Sequence, residues 1–154
     1  MPPGDGWARC ARGHRHWGVY GAAGLLLRHR DSGGVDWLLM QHRSWWSHHG
    51  DTWGLLGGAR MPSETAEQAA GREAWEEASL PCSAYSVLGH YVDDHGGWSY
   101  TTVLAETGER LTPGALNAES HEVAWVRRED LGQLPLHPGF AASWPSVRAR
   151  LRRR

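Results

Sequence analysis

The order of apolar runs and turn signals in this 154-residue chain predicts an α/β fold. Three observations carry that expectation. Strand-length apolar runs bounded by turn residues precede residue 60, a capped helix follows over 65–79, and more strand-like runs lead to a terminal helix. At this length one domain with its own core is expected.

Each element has its own local reason. Residues 1–16 are polar and rich in Pro, Gly and Arg, which predicts a loose, flexible lead-in, with the folded domain spanning 17–154. From Gly18 to Arg30, Val19, Tyr20, Ala22, Ala23, Leu25, Leu26 and Leu27 read as a buried strand. Asp31-Ser32-Gly33-Gly34 turns the chain, and Val35 to His42 completes a hairpin. Arg43 to Gly50 reads as a loop, and Trp53-Gly54-Leu55-Leu56-Gly57-Gly58 leads out of it. Thr65 and Gln68 form a capping box that starts a helix running to about Ser79, and Pro81 stops it. Tyr85 to Val92 and Trp98 to Ala105 follow as strands joined by Asp93-Asp94-His95-Gly96-Gly97. After a polar loop containing Pro113 and Gly114 come a strand from Glu122 to Arg127, a turn of helix over Arg128 to Gly132, and a last helix from about Gly139.

Composition narrows the function classes. A net charge of −1 and a pI of about 6.8 leave no broad basic surface for nucleic acid. The five arginines from Arg148 to Arg154 read as the solvated end of a terminal helix, with RNA contact the alternative. Cys10 and Cys82 are too few for a disulfide framework and lack a CxxC pattern, so a reduced, cytoplasmic setting is the default expectation. No apolar run approaches a membrane span, and Pro2, Pro3 and Gly4 among charges do not build a signal-peptide core. Ten tryptophans against one phenylalanine offer many planar faces, most of them expected to serve packing.

Chemistry concentrates between Gly58 and Leu80. On a helix, Glu73, Glu76 and Glu77 fall at about 0°, 300° and 40°, so the three carboxylates share one face. Like charges at these spacings repel. A cation relieves that repulsion, and hard oxygen donors suit Mg²⁺ or Mn²⁺. A bare acidic triplet would ordinarily be a solvated helix face; here the surroundings decide otherwise.

Gly58, five residues, Glu64, seven residues, then Arg72-Glu73-Ala74-Trp75-Glu76-Glu77-Ala78-Ser79-Leu80 resembles the Nudix box. Only Ser79 departs, standing where that family has the glycine that ends the helix. Leu56 also replaces the proline usual before the glycine pair. The resemblance spans roughly residues 17–147 and implies an α/β/α sandwich around a mixed sheet. It further implies a Mg²⁺-dependent hydrolase of diphosphate linkages in nucleotides. Glu76 and Glu77 match direct metal ligands, with a backbone carbonyl of Gly57 or Gly58 as another, and Glu73 matches a position that binds metal or takes a proton from water. Arg72 would orient the carboxylates and Glu64 would tie the preceding loop to the helix. Glu119 is the best candidate for a further carboxylate ligand and Glu122 the next. Nudix proteins of this size are often homodimers.

Substrate choice in that family lies outside the box. Trp45, Trp46, His48, His49 and Trp53 precede the phosphate loop, and Trp98 and Tyr100 flank the far side of the expected sheet; these rings would form a slot for a base or sugar. The spacing of His48, His49 and His95 does not suggest a transition-metal site. A nucleoside triphosphate hydrolysed to monophosphate and pyrophosphate is the leading substrate. A nucleotide sugar or ADP-ribose is the alternative, ahead of a non-catalytic ligand-sensing module or an RNA-decapping enzyme.

Overall fold

A computed structural model describes residues 3–44, 49–114 and 120–152. A mixed sheet lies between two helices, as the resemblance implied. It is built from β3 (Ala22–Arg30), β4 (Asp36–Arg43), β5 (Trp53–Gly54), β6 (Leu56–Ala59), β7 (Ser86–Asp94), β8 (Ser99–Glu106) and β9 (Ser120–Arg127). β3 is the central strand, parallel to β8 from Ala22 to Arg28. Its opposite edge is divided: Ala22 to Leu25 pair with β6, and Arg28 to Arg30 pair with β4.

Alternation along β3 sorts its leucines to the two faces. Leu25 and Leu27 join Ala69, Ala70, Ala74 and Ala78 of α1 (Ala66–Ala78), while Leu26 joins Phe140, Trp144, Val147 and Leu151 of α2 (Pro138–Arg152). Both faces are covered, which is why the strand reads as a continuous apolar run. The alanine face of α1 lets the helix approach closely, and its carboxylates are carried next to β6. Among the described residues no helix is long and apolar enough to cross a membrane.

The structure corrects two expectations at the N-terminal end. Residues 7–17, expected in or beside the loose lead-in, form a hairpin of β1 (Trp7–Arg9) and β2 (Arg15–Trp17), with Trp7 opposite Trp17. Its turn is closed by the Cys10 N–H donating to the His14 carbonyl (3.0 Å), and Gly13 supplies a φ of +80°. Two three-residue strands are too short to show periodicity, so the sequence hides them. The strand expected from Gly18 begins at Ala22 instead. Gly18 and Gly21 turn the backbone with φ of +112° and +89°, leaving Val19 and Tyr20 exposed rather than buried.

The helix signals hold in detail. The Thr65 hydroxyl accepts from the Gln68 N–H and the Gln68 side chain accepts from the Thr65 N–H. At the other end Ser79 adopts the left-handed conformation (φ 55°, ψ 35°), with the Ser79 and Leu80 N–H groups closing onto Trp75 and Ala74 carbonyls. Serine thus takes the backbone shape that favours glycine. Its neighbour has compensated: a Cβ on Gly114 would collide with the Ser79 side chain.

Candidate active site

The glycine strand β6 and helix α1 bring Gly57, Gly58, Glu64, Arg72, Glu73, Glu76 and Glu77 into one cluster. Arg72 is its hub. Its Nε and Nη2 donate to the two oxygens of Glu64 (2.8 and 2.9 Å), its Nη1 to Glu73 (3.0 Å) and to Glu76 (3.4 Å), and Nη2 also to the Ala59 carbonyl (2.9 Å). The bidentate fork fixes the guanidinium plane. Glu64 in turn accepts from the Met61 N–H (2.8 Å), which anchors the loop between β6 and α1. Paired this way, the Glu64 carboxyl is held below the usual carboxylate range, chiefly by the Arg72 hydrogen bond, and the guanidinium is pushed higher still.

The three box glutamates differ in exposure. Glu76 is half exposed, the Glu73 side chain retains 15% of its surface, and Glu77 keeps only 2%. Glu77 accepts from the Gly57 N–H (2.8 Å) and from the Gln41 side-chain amide (3.2 Å). Gln41 had not been singled out, although a lone amide in Leu38-Leu39-Met40-Gln41 was the signal: a buried polar side chain in an apolar strand needs a polar partner.

The glycines are required by close approach. A Cβ on Gly58 would lie 2.6 Å from a Glu73 oxygen, and one on Gly57 would lie 2.5 Å from the Ala23 carbonyl. At Gly57 the crowding therefore comes from β3, a reason that the sequence alone did not expose.

The aromatic residues expected around substrate have other neighbours. Trp98 donates its indole N–H to the Gly18 carbonyl (2.9 Å) and stacks on His16 (3.9 Å between centroids). Tyr100 packs with the α2-side core, its hydroxyl reaching toward Gly24 and Gly57. Burial, and next the Glu77 charge, push its ionisation well above the ordinary tyrosine value. Trp53 stacks on His42 (4.7 Å), and the His49 ring stands edge-on to His137 (4.8 Å). Trp45, Trp46, His48 and Glu119 lie outside the described residues.

Glu64, Glu73 and Glu76 gather on the one Arg72 guanidinium, with Glu77 beside them on the Gly57 N–H. With acceptor-only oxygens beside a glycine backbone, the donor set fits a hard divalent cation.

Comparisons with known proteins agree with this geometry. A NUDIX domain model matches residues 20–148. A Mycobacterium tuberculosis protein named "Putative 8-oxo-dGTP diphosphatase 3" is 49% identical over 151 residues, covering 94% of this chain and 69% of that protein. A Bifidobacterium longum nucleoside triphosphate pyrophosphatase/Nudix hydrolase fusion protein is 44% identical over 153 residues, covering 97% of this chain and 32% of the fusion. The crystal structure of RenU, a Nudix hydrolase from M. smegmatis, superposes with a TM-score of 0.88 at 48% identity, covering 96% of this chain and 95% of that one.

Proposed function

The chain belongs to the Nudix hydrolase family, and from that premise we propose that it is a Mg²⁺-dependent pyrophosphohydrolase of a nucleoside triphosphate. The carrying observation is the gathering of carboxylates on the Arg72 hub around the Gly57–Gly58 backbone. A divalent cation there would screen the diphosphate oxygens and lower the pKa of the attacking water.

The residues divide the work. Glu73, Glu76 and Glu77 would hold the cation with a carbonyl of Gly57 or Gly58, and Glu119 would add a further carboxylate. The Gly57 N–H and the Gln41 amide hold the Glu77 carboxylate beside the glycine backbone, where it would serve as a ligand. Arg72 steers Glu73 and Glu76 through one guanidinium that Glu64 locks in plane. Glu73, whose carboxylate lies where a Cβ of residue 58 would stand, would share the cation or take the proton from water. Trp45, Trp46, His48 and His49, which precede β5 in the sequence, would contact the base or sugar. Attack of water on a phosphorus of the α–β anhydride would break it, giving the nucleoside monophosphate and pyrophosphate.

The substrate class is supported by the name of the M. tuberculosis relative, which specifies a nucleoside triphosphate. The test is a panel of nucleotides, with dGTP, 8-oxo-dGTP, a nucleotide sugar and ADP-ribose, in Mg²⁺ and then Mn²⁺, with products separated by chromatography. Pyrophosphate with a nucleoside monophosphate is expected. Turnover confined to ADP-ribose or the sugar, giving two monophosphate products, would replace the triphosphate reading, and turnover of nothing in the panel would overturn it.

A further inference from the structure

We propose that Cys10, His14 and His16 form a second metal site, for a thiophilic cation of the Zn²⁺ class, in the N-terminal hairpin. Among the described residues these three side chains bring a sulfur and two imidazole nitrogens within 4.8 Å of one another. The hairpin register explains why. Cys10 and His14 close the turn through a backbone hydrogen bond, and His16 lies two residues along β2, so all three project from the same face.

The donor chemistry separates this site from the carboxylate cluster. One thiolate and two imidazoles suit Zn²⁺ and discriminate against Mg²⁺, whereas carboxylates and carbonyls do the reverse. Cys10 is buried and free of any disulfide. The His16 ring is clamped flat on Trp98, and its Nε2 is buried without a hydrogen-bond partner. His95 stands beside it, with ring centroids 4.7 Å apart, and its Nδ1 is likewise buried and unpartnered. The other nitrogen of His95 meets the Asp93 carboxylate (2.9 Å), the arrangement that orients metal-ligating histidines. His95 thus adds an imidazole beside the cluster from the turn between β7 and β8, while the converging ligand atoms are those of Cys10, His14 and His16.

A tetrahedral zinc ion holds sulfur at about 2.3 Å and nitrogen at about 2.0–2.1 Å, so the donors must close by roughly an ångström. His14 is exposed and can swing inward. The ion would cross-link a two-stranded hairpin that is marginal by itself. It would also reinforce an existing junction with the β7–β8 turn, where the Ala11 N–H donates to the Gly96 carbonyl (2.6 Å).

The test is Co²⁺ titration of the reduced protein in excess Mg²⁺, read by absorption. A thiolate-to-cobalt charge-transfer band with strong tetrahedral d–d bands is expected, retained in Cys82→Ser, lost in Cys10→Ser, and requiring at least about tenfold more Co²⁺ in His16→Ala. Zn²⁺ should bleach it. In the unmodified chain, alkylation followed by mass spectrometry reads the same site without any variant: Zn²⁺ is expected to protect Cys10 and leave Cys82 reactive. Absence of the band in the wild-type protein, its survival in Cys10→Ser, or alkylation of Cys10 undiminished by Zn²⁺ would overturn the proposal. None of these readouts uses nucleotide turnover, so the outcome is independent of the hydrolase reading.

Discussion

Two regions of this molecule gather potential ligands by different routes. On α1 the carboxylates are neighbours along one helix, so their clustering is written into intervals of three and four residues. In the N-terminal hairpin the thiol and imidazoles meet across a turn, and only the pairing of Cys10 with His14 brings them together. The first region is organised by charge around Arg72, the second by aromatic packing around Trp98. A helical site is thus visible as spacing, whereas a cross-strand site appears only once register is known.

The sharpest way to break this contrast is to strip charge from the helix alone. Glu77→Gln is expected to lower kcat by about a hundredfold or more, since even residues that merely support metal ligands are worth 10–100-fold. Its folding stability should change little, because the Gln41 amide can turn over to accept from the new side chain. Near-normal turnover would remove Glu77 from the site. Arg72→Lys should cost roughly 10–100-fold and raise the Mg²⁺ concentration needed for activity, because lysine cannot reproduce the fork onto Glu64. Activity that merely shifts in KM for nucleotide, with unchanged Mg²⁺ dependence, would argue for a substrate contact instead.

Glu64→Gln probes the support of that fork through pH. The Glu64 carboxyl is held below its ordinary value of 4.5 when folded. A depressed carboxylate contributes stability above the unfolded value and loses it as pH falls through the folded one. Urea unfolding should therefore show a flatter acid decline below about pH 4.5 in Glu64→Gln than in the wild-type protein. Parallel declines would mean that the ion pair adds nothing to folding.

Trp98→Phe tests the other region. Loss of the indole N–H bond to Gly18 should cost about 1 kcal/mol with KM unchanged. A raised KM at unaltered stability would return that ring to the substrate slot. An effect of similar size and opposite sign is expected at the helix exit. Ser79→Gly relieves a left-handed serine and should gain about 1 kcal/mol, or a Tm rise of about 2–4 °C. A fall in Tm would show that the packing of Ser79 against Gly114 outweighs the backbone cost.

The elements that sequence revealed were those with local causes. The Thr65–Gln68 box, the turn at Asp31 and the apolar runs of β3 and β8 each declare themselves within a few residues. Arg72 and Glu64 were legible through the resemblance to the Nudix box, whose pattern sets seven residues between them. What stayed hidden depends on contacts distant in sequence. Gln41 reaches Glu77 across 36 positions, and Trp98 reaches Gly18 across 80. The unequal exposure of Glu73, Glu76 and Glu77 likewise arises from β6 and β4 packing against the helix, which no helical angle contains.

The central claim is that the α1 carboxylates form a cation site. Its most direct measurement is Mn²⁺ binding by electron paramagnetic resonance, comparing the protein carrying Cys10→Ser with the same protein carrying also Glu73→Gln, Glu76→Gln and Glu77→Gln. Mn²⁺ uptake that Mg²⁺ displaces in the first and that disappears in the second, while circular dichroism shows both folded, is the expected result. Undiminished uptake by the folded protein lacking those three carboxylates would contradict it.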